Sequence, residues 1–490
     1  MLVSEVNSPS ITISPAYGAL AAAGGAVSLF AAYWDDAWHT DIGRDTAFIA
    51  PHLALYGSVA AVGLVVLGWG LVALARTRSI RAALRQPGLL LAGIGGAVTL
   101  AAAPLDAFWH EAFGRDAVLW SPPHMLVVFA STTMAIGLLA GLRPTRHGII
   151  EAALSALVLG GAMMTVLEYD TDVPQFSQTL YVPVALISGL IAVIIIRALV
   201  ARPCAVTQAV VVYVVVRLIV IAALILLGRS TPDLPVAVLG LAVADLPWRG
   251  RVARYGATSA AVAALAWTAS TLGVASQPAA AVGVVAAPVI VVGIALVLAT
   301  SWRTHAVGAT AAALLASASM LMLAPVPEAI AHDPGQGQPV TSAQVTVVGD
   351  GRGNVRLDVI APEADSQLQA DRVVARRGGQ TLTAPLKEIG PGRFTGTIRL
   401  PQGRWFVYAE FRRAGETVEA WLPVESGWQG TSSAERELYV PSGKQPPTAT
   451  QIASGAAIYA LGLILLALAL IQTRRIVRRR HNPAEFPATT

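Results

Sequence analysis

The sequence predicts a polytopic α-helical membrane protein with a duplicated N-terminal helical hairpin and one extracytoplasmic β-sandwich domain. Three observations carry that class. Only 13% of the residues are charged while 55% are apolar, and the apolar runs recur at lengths that cross a hydrocarbon core of ~30 Å. A single long polar stretch, 328–450, interrupts them with period-two patterning.

About twelve spans are expected, at 16–33, 47–75, 88–104, 117–142, 148–167, 179–200, 204–227, 233–246, 254–275, 279–300, 305–327 and 451–472. The segment 233–246 is short, which also suits a re-entrant stretch. They divide the chain into duplicated hairpins over 1–142, a helix bundle over 143–327, the β-domain with its linkers over 328–450, and a membrane anchor with a basic tail over 451–490.

Orientation follows from the arginines. Arg76, Arg78, Arg81 and Arg85, then Arg143 and Arg146, Arg197 and Arg202, Arg249, Arg251 and Arg254, Arg303, and finally Arg474, Arg475 and Arg478 to Arg480 all follow even-numbered spans. The positive-inside rule therefore expects both termini in the cytoplasm of a plasma (inner) membrane protein. The loops 34–46, 105–116 and 168–178 and the stretch 328–450 then face outward.

The net charge of +5 is mostly this bias and not a nucleic-acid footprint. The lone cysteine, Cys204, excludes disulfides within the chain and paired-Cys metal motifs. No basic n-region precedes the first apolar run, so that run is expected to be a span and not a secretory signal.

Within 328–450 the β-patterned runs are Gln344-to-Val348, Val355-to-Val359, Arg372-to-Ala375, Arg393-to-Leu400, Trp405-to-Phe411 and Val418-to-Leu422. Turn signals such as GDGRGN, GPGR and RRAGET separate them, so about seven strands in a sandwich of roughly one hundred residues are expected. Apart from His332 in its leading linker this stretch has neither His, Cys nor Met. Its pattern resembles the small periplasmic domains of the YtkA/FixH kind.

Chemistry concentrates in a block that occurs twice, 71 residues apart: GGAVSLFAAYWDDAWHTDIGRD at 24–45 and GGAVTLAAAPLDAFWHEAFGRD at 95–116, with 13 of 22 positions identical. Asp35 and His39 are four apart, as are Asp106 and His110, so on a helix each pair shares one face. His52 and His124 open the following spans, each behind a proline, and these four histidines are half of the chain's eight.

One carboxylate with two imidazoles is a ligand set for copper, zinc or non-haem iron, with coordination left for water or substrate. Ionisable groups kept at membrane depth usually have a function. The plainer alternative is that Asp and His cap helices and pair with Arg44 and Arg115 at the interface. Those arginines could instead orient the Asp ligands. Gly43, Gly114, Asp45 and Asp116 read as turn and helix-cap residues, and Trp38 and Trp109 as an interfacial belt. Asp36 stands beside the first site. A decayed third copy starts at Gly160 and ends in Glu168, Asp170 and Asp172, carboxylates that could complete a site or pair with arginines. Arg217, alone in a long apolar run, must snorkel, pair or line a cavity.

The spacing Asp35-x3-His39-x12-His52 resembles that in the C subunit of the particulate methane and ammonia monooxygenases, and Asp106-x3-His110-x13-His124 departs from it by one residue. The resemblance covers about 130 residues. It implies copper bound within the membrane near the outer face by Asp35, His39 and His52 and by their duplicates, and oxygen activation on a small apolar substrate arriving from the lipid bilayer. The duplication, the extra spans and the β-domain are not features of that subunit. Other expectations stay open: copper acquisition, delivery or transport with the β-domain as docking module, a haem held by His52 and His124, or a membrane scaffold. Other membrane subunits or an extracytoplasmic metal or electron donor are the expected partners. No phosphate loop, Ser-His-Asp order or HExxH motif supports a nucleotide-driven or hydrolytic enzyme.

Overall fold

The computed structural model describes residues 11–41, 48–113, 119–143, 148–171, 178–283, scattered positions from 285 to 293, 337–361, 367–377, 380–441 and 448–481. The helices are α1 (Pro15–Asp41), α2 (Ala50–Thr77), a short α3 (Ile80–Leu84), α4 (Pro87–Phe113), α5 (Pro122–Gly141), α6 (Ile149–Met163), a one-turn α7 (Leu167–Asp170), α8 (Tyr181–Leu199), α9 (Ala205–Leu226), α10 (Arg251–Thr271) and, after the β-domain, α11 (Ala449–His481). Eight helical segments among the described residues are long and apolar enough to cross a bilayer, and they correspond to the first seven expected spans and the last.

The expected span 305–327 lies outside the described residues, and 279–300 is described only in part. α10 matches the span expected at 254–275 but is not among the eight. The stretch at 233–246 folds as a 3-10 helix, Ala237–Asp245, behind an irregular lead. Its two ends nonetheless sit at opposite ends of the bundle. The Asp233 N–H donates to the Asp170 carbonyl, while the Asp245 carboxylate takes Arg197 at 2.7 Å and the Thr207 N–H at 2.8 Å.

Small residues set the helix spacing. α4 and α5 touch backbone to backbone, because a Cβ added at Gly95 would lie 2.6 Å from the Ala130 carbonyl oxygen and the Met134 nitrogen, and Gly137 meets Ala92 in the same way. Close backbone approach through glycine is a principal source of helix adhesion in lipid, where burying apolar surface gains little. Gly24, the counterpart of Gly95, faces Val62 of α2. The first glycine of the repeated pair, Gly24 or Gly95, therefore sets the Asp-bearing helix close against the His-bearing one in each hairpin, while Gly25 packs on Leu157 of α6.

The β-domain has eight antiparallel strands: β1 (Gly337–Asp350), β2 (Asn354–Ile360), β3 (Gln369–Arg377), β4 (Gln380–Gly390), β5 (Arg393–Arg399), β6 (Gly403–Arg413), β7 (Glu416–Ser426) and β8 (Gln429–Pro441). In the order β1-β2-β5-β4-β3-β6-β7-β8 they close into a barrel-like sheet, which corrects the expected two-sheet sandwich. The reason is the long β1/β8 ladder, running from Gly337↔Pro441 to Asp350↔Gln429, which joins strands that a sandwich would separate. Closure is thin at β7/β8, where one pair, Glu419↔Tyr439, makes the link. Val345, Leu357, Val373, Phe394, Trp405, Phe411 and Leu438 fill the interior.

The barrel meets the helices at the end that carries the Asp/His residues. Arg436 of β8 donates to the Asp41 carbonyl at the end of α1, and Tyr459 of α11 donates to the Trp120 carbonyl just ahead of α5.

Candidate metal centre

α1 runs unbroken through Asp35 and His39, so the four-residue spacing stacks both on one face. α2 begins behind Ile49 with Pro51 in its first turn, and α5 begins behind Ser121 with Pro122 and Pro123. Proline suits a first turn, where its missing N–H costs nothing. His52 and His124 consequently occupy the same third helical position. The one-residue difference in sequence spacing leaves that helical position unchanged, and the two hairpins present His52 and His124 alike.

In the first copy, His52 Nε2 lies 3.1 Å from Asp35 Oδ1 and His39 Nδ1 lies 3.9 Å from Asp35 Oδ2. One ligand atom from each of Asp35, His39 and His52 falls within 4.8 Å of the others, and this is the one metal-competent group among the described residues. In the second copy His124 Nε2 lies 3.2 Å from Asp106 Oδ1, the same atom pair at nearly the same distance. The His110 side chain lies outside the described residues, as do Arg44, Arg115 and Asp172.

Asp35 and His52 are largely shielded, with side chains 22% and 16% exposed. The start of α2, with its positive dipole end, favours a carboxylate beside it. The Tyr56 ring, one turn further along α2, stands 5.8 Å from His52. Both Asp/His pairs, together with Asp36 and His39, line one cavity of about 1040 Å³.

Two carboxylates expected near the site have their described contacts elsewhere. Asp170 binds Arg217 at 2.7 Å and accepts from Tyr33 at 3.4 Å, and Glu168 accepts the Leu119 N–H, bracing the entry to α5. Arg217 is fully buried; it also donates to the Tyr33 and Tyr213 hydroxyls and to the Asp233 carbonyl, and lies 4.2 Å over the Tyr33 ring. This cluster belongs to the first copy alone, since Pro104 stands where the first block has Tyr33. Sequence reading singled out Arg217 and Asp170 separately and missed their pairing. The available signal was a lone cation in a long apolar run and a group of carboxylates, Glu168, Asp170 and Asp172, at a span end with no cation close in sequence.

The eight apolar helices make this an integral membrane protein, with an Asp/His/His cluster at one end of the bundle. Comparison with known proteins adds no relative: no family model, no curated protein and no solved structure matches the chain.

Proposed function

We propose that the protein is a copper-binding membrane protein whose duplicated hairpins each hold an ion at the extracytoplasmic face, through Asp35, His39 and His52 and through Asp106, His110 and His124. The observation that carries the reading is the convergence of one carboxylate and two imidazoles from two helices within 4.8 Å. Bonds to such ligands run about 2.0–2.2 Å, so donor atoms around one ion stand up to about 4.2 Å apart, and a small rotamer adjustment closes the group. Two imidazoles with one carboxylate suit copper, and also zinc or non-haem iron. Haem fits less well, because two axial histidines leave Asp35 and Asp106 without a role.

The arginine distribution supports the outward orientation, with both termini cytoplasmic and the β-domain outside. Twelve spans, including the 233–246 segment and the two spans outside or partly outside the described residues, give that even count. The resemblance in spacing to the monooxygenase C subunit supports oxygenase-type chemistry on an apolar substrate. Bound copper would supply oxygen activation. The chain's own contribution is to orient both imidazoles by the Asp35 and Asp106 carboxylates and to keep the site largely out of water.

A second reading, metal acquisition or delivery, is favoured by one contact. Arg436 of the β-domain anchors on Asp41, two residues beyond His39, so a partner docking on the barrel reaches the site directly. The test is spectroscopic. Purified protein loaded with Cu(II) should show an EPR signal with nitrogen hyperfine structure that His52→Ala and His124→Ala each diminish. A Soret band would assign haem instead, and an EPR spectrum unchanged in both variants would remove these histidines from the ligand set.

A further inference from the structure

The cavity that joins the two Asp/His pairs is far larger than a small gaseous substrate needs. At about 1040 Å³ it stands at the top of the usual range for drug-sized pockets, roughly 300–1,000 Å³. It is also long. Its lining runs along α1 from Ala22 to His39, and Ala22 to Asp35 alone is about 20 Å of helix, or two thirds of the hydrocarbon core.

The charged and imidazole groups crowd one end, and the rest is lined mostly by aliphatic side chains, among them Leu29, Val59, Leu138 and Leu157, with the hydroxyls of Ser28, Thr99 and Ser131 between them. The cavity has a lateral side as well. Tyr56 of α2 and Leu100 of α4 line it and are yet 43% and 58% exposed, so it reaches the lipid-facing surface between the two hairpins. No soluble ligand is brought to that surface; membrane-dissolved molecules are.

We propose that this chamber binds one neutral long-chain lipid-derived molecule, entering between α2 and α4, with its tail along α1 and its polar or reactive end between the two Asp/His pairs. This names the substrate class of the proposed metal site and rests on that reading for the chemistry, though not for the binding. In the metal-free chamber Asp35 and Asp106 place two carboxylates at the polar end, where an anionic headgroup is repelled and a neutral one is not. A single chain is proposed because the chamber is one elongated space along α1, and the phospholipid probe tests whether a second chain and headgroup are tolerated.

The experiment uses the full chain in vesicles with two photoactivatable probes: a diazirine-bearing hexadecanol, and a phosphatidylcholine with the same diazirine in one acyl chain. Cross-links are mapped by peptide mass spectrometry. The alcohol should label inward-facing positions such as Ala22 and Ala156, unlabelled alcohol should compete, and the phospholipid should label only outward faces such as Leu67 of α2. Filling the chamber with Ala26→Phe or Ala103→Phe should lower inward labelling about tenfold, as expected for a clash of about 1.4 kcal/mol.

Copper content measured on the same samples separates the two ideas. Inward labelling without copper keeps the chamber and removes the metal; copper without inward labelling does the reverse. Equal inward labelling by both probes, or none by the alcohol in the wild-type protein, overturns the proposal.

Discussion

Arg217 shows how a single residue can be legible as unusual and illegible in its role. A guanidinium within a run of valines and isoleucines must find partners, but Asp170 and Tyr33 come from 47 and 184 residues away, and no periodicity encodes such a meeting. The duplicated Asp and His residues were easier, because duplication marks the positions and a four-residue spacing states the geometry. Burial of the ion pair makes a directional prediction. Removing one partner strands a charge and costs about 3–5 kcal/mol, whereas replacing both by apolar residues is often close to neutral. Arg217→Met and Asp170→Leu should each lower thermal stability in detergent, and the double variant should recover most of the loss. Equal losses in all three would show that the pair contributes specific packing and not charge compensation.

Among the elements, the hairpins were legible and the less regular pieces were not. The apolar runs placed α1, α2 and α4 to α6 because length and composition suffice for a helix in lipid. Nine residues of 3-10 helix at Ala237–Asp245 follow an irregular lead and cross much of the bundle with it, a mixture that no single period describes. In the β-domain, β4 and β8 escaped notice. Pro385 interrupts β4 and the polar residues of β8 hide its alternation, leaving Leu438 and Tyr439 as its buried large apolar side chains. The Gly95 contact is testable at this scale. Gly95→Val pushes α4 from α5 and should destabilise by about 1–3 kcal/mol, while also loosening the Asp106/His124 pair. Gly93→Ala, with nothing within 4 Å of its added Cβ, should be neutral or slightly stabilising. Similar melting temperatures for the two variants would contradict the glycine clamp.

For the whole molecule, the decisive geometric fact is that the barrel and the Asp/His cluster share one end of the bundle, opposite the arginine-rich helix ends. Composition foretold the membrane class and the separate β-domain. The barrel's closure depended on the length of the β1/β8 ladder, which sequence did not disclose. Cys204, exposed and at the arginine-rich end ahead of α9, provides a native probe of orientation. In intact cells a membrane-impermeant maleimide should leave Cys204 unlabelled and should label Lys387→Cys in a Cys204→Ser background. Permeabilised cells should show both. Labelling of Cys204 in intact cells would invert the proposed topology and place the metal centre in the cytoplasm.

The central claim, a duplicated metal site, is tested most directly by metal content. Protein purified in mild detergent, exposed to copper and freed of excess, is analysed by inductively coupled plasma mass spectrometry beside His39→Ala/His110→Ala. About one or two copper ions per chain in the wild type, lost in the variant while its elution profile is unchanged, is the predicted result. No bound metal in the wild type, or equal copper in both proteins, would contradict the account and leave the Asp/His pairs as caps between adjacent helix ends.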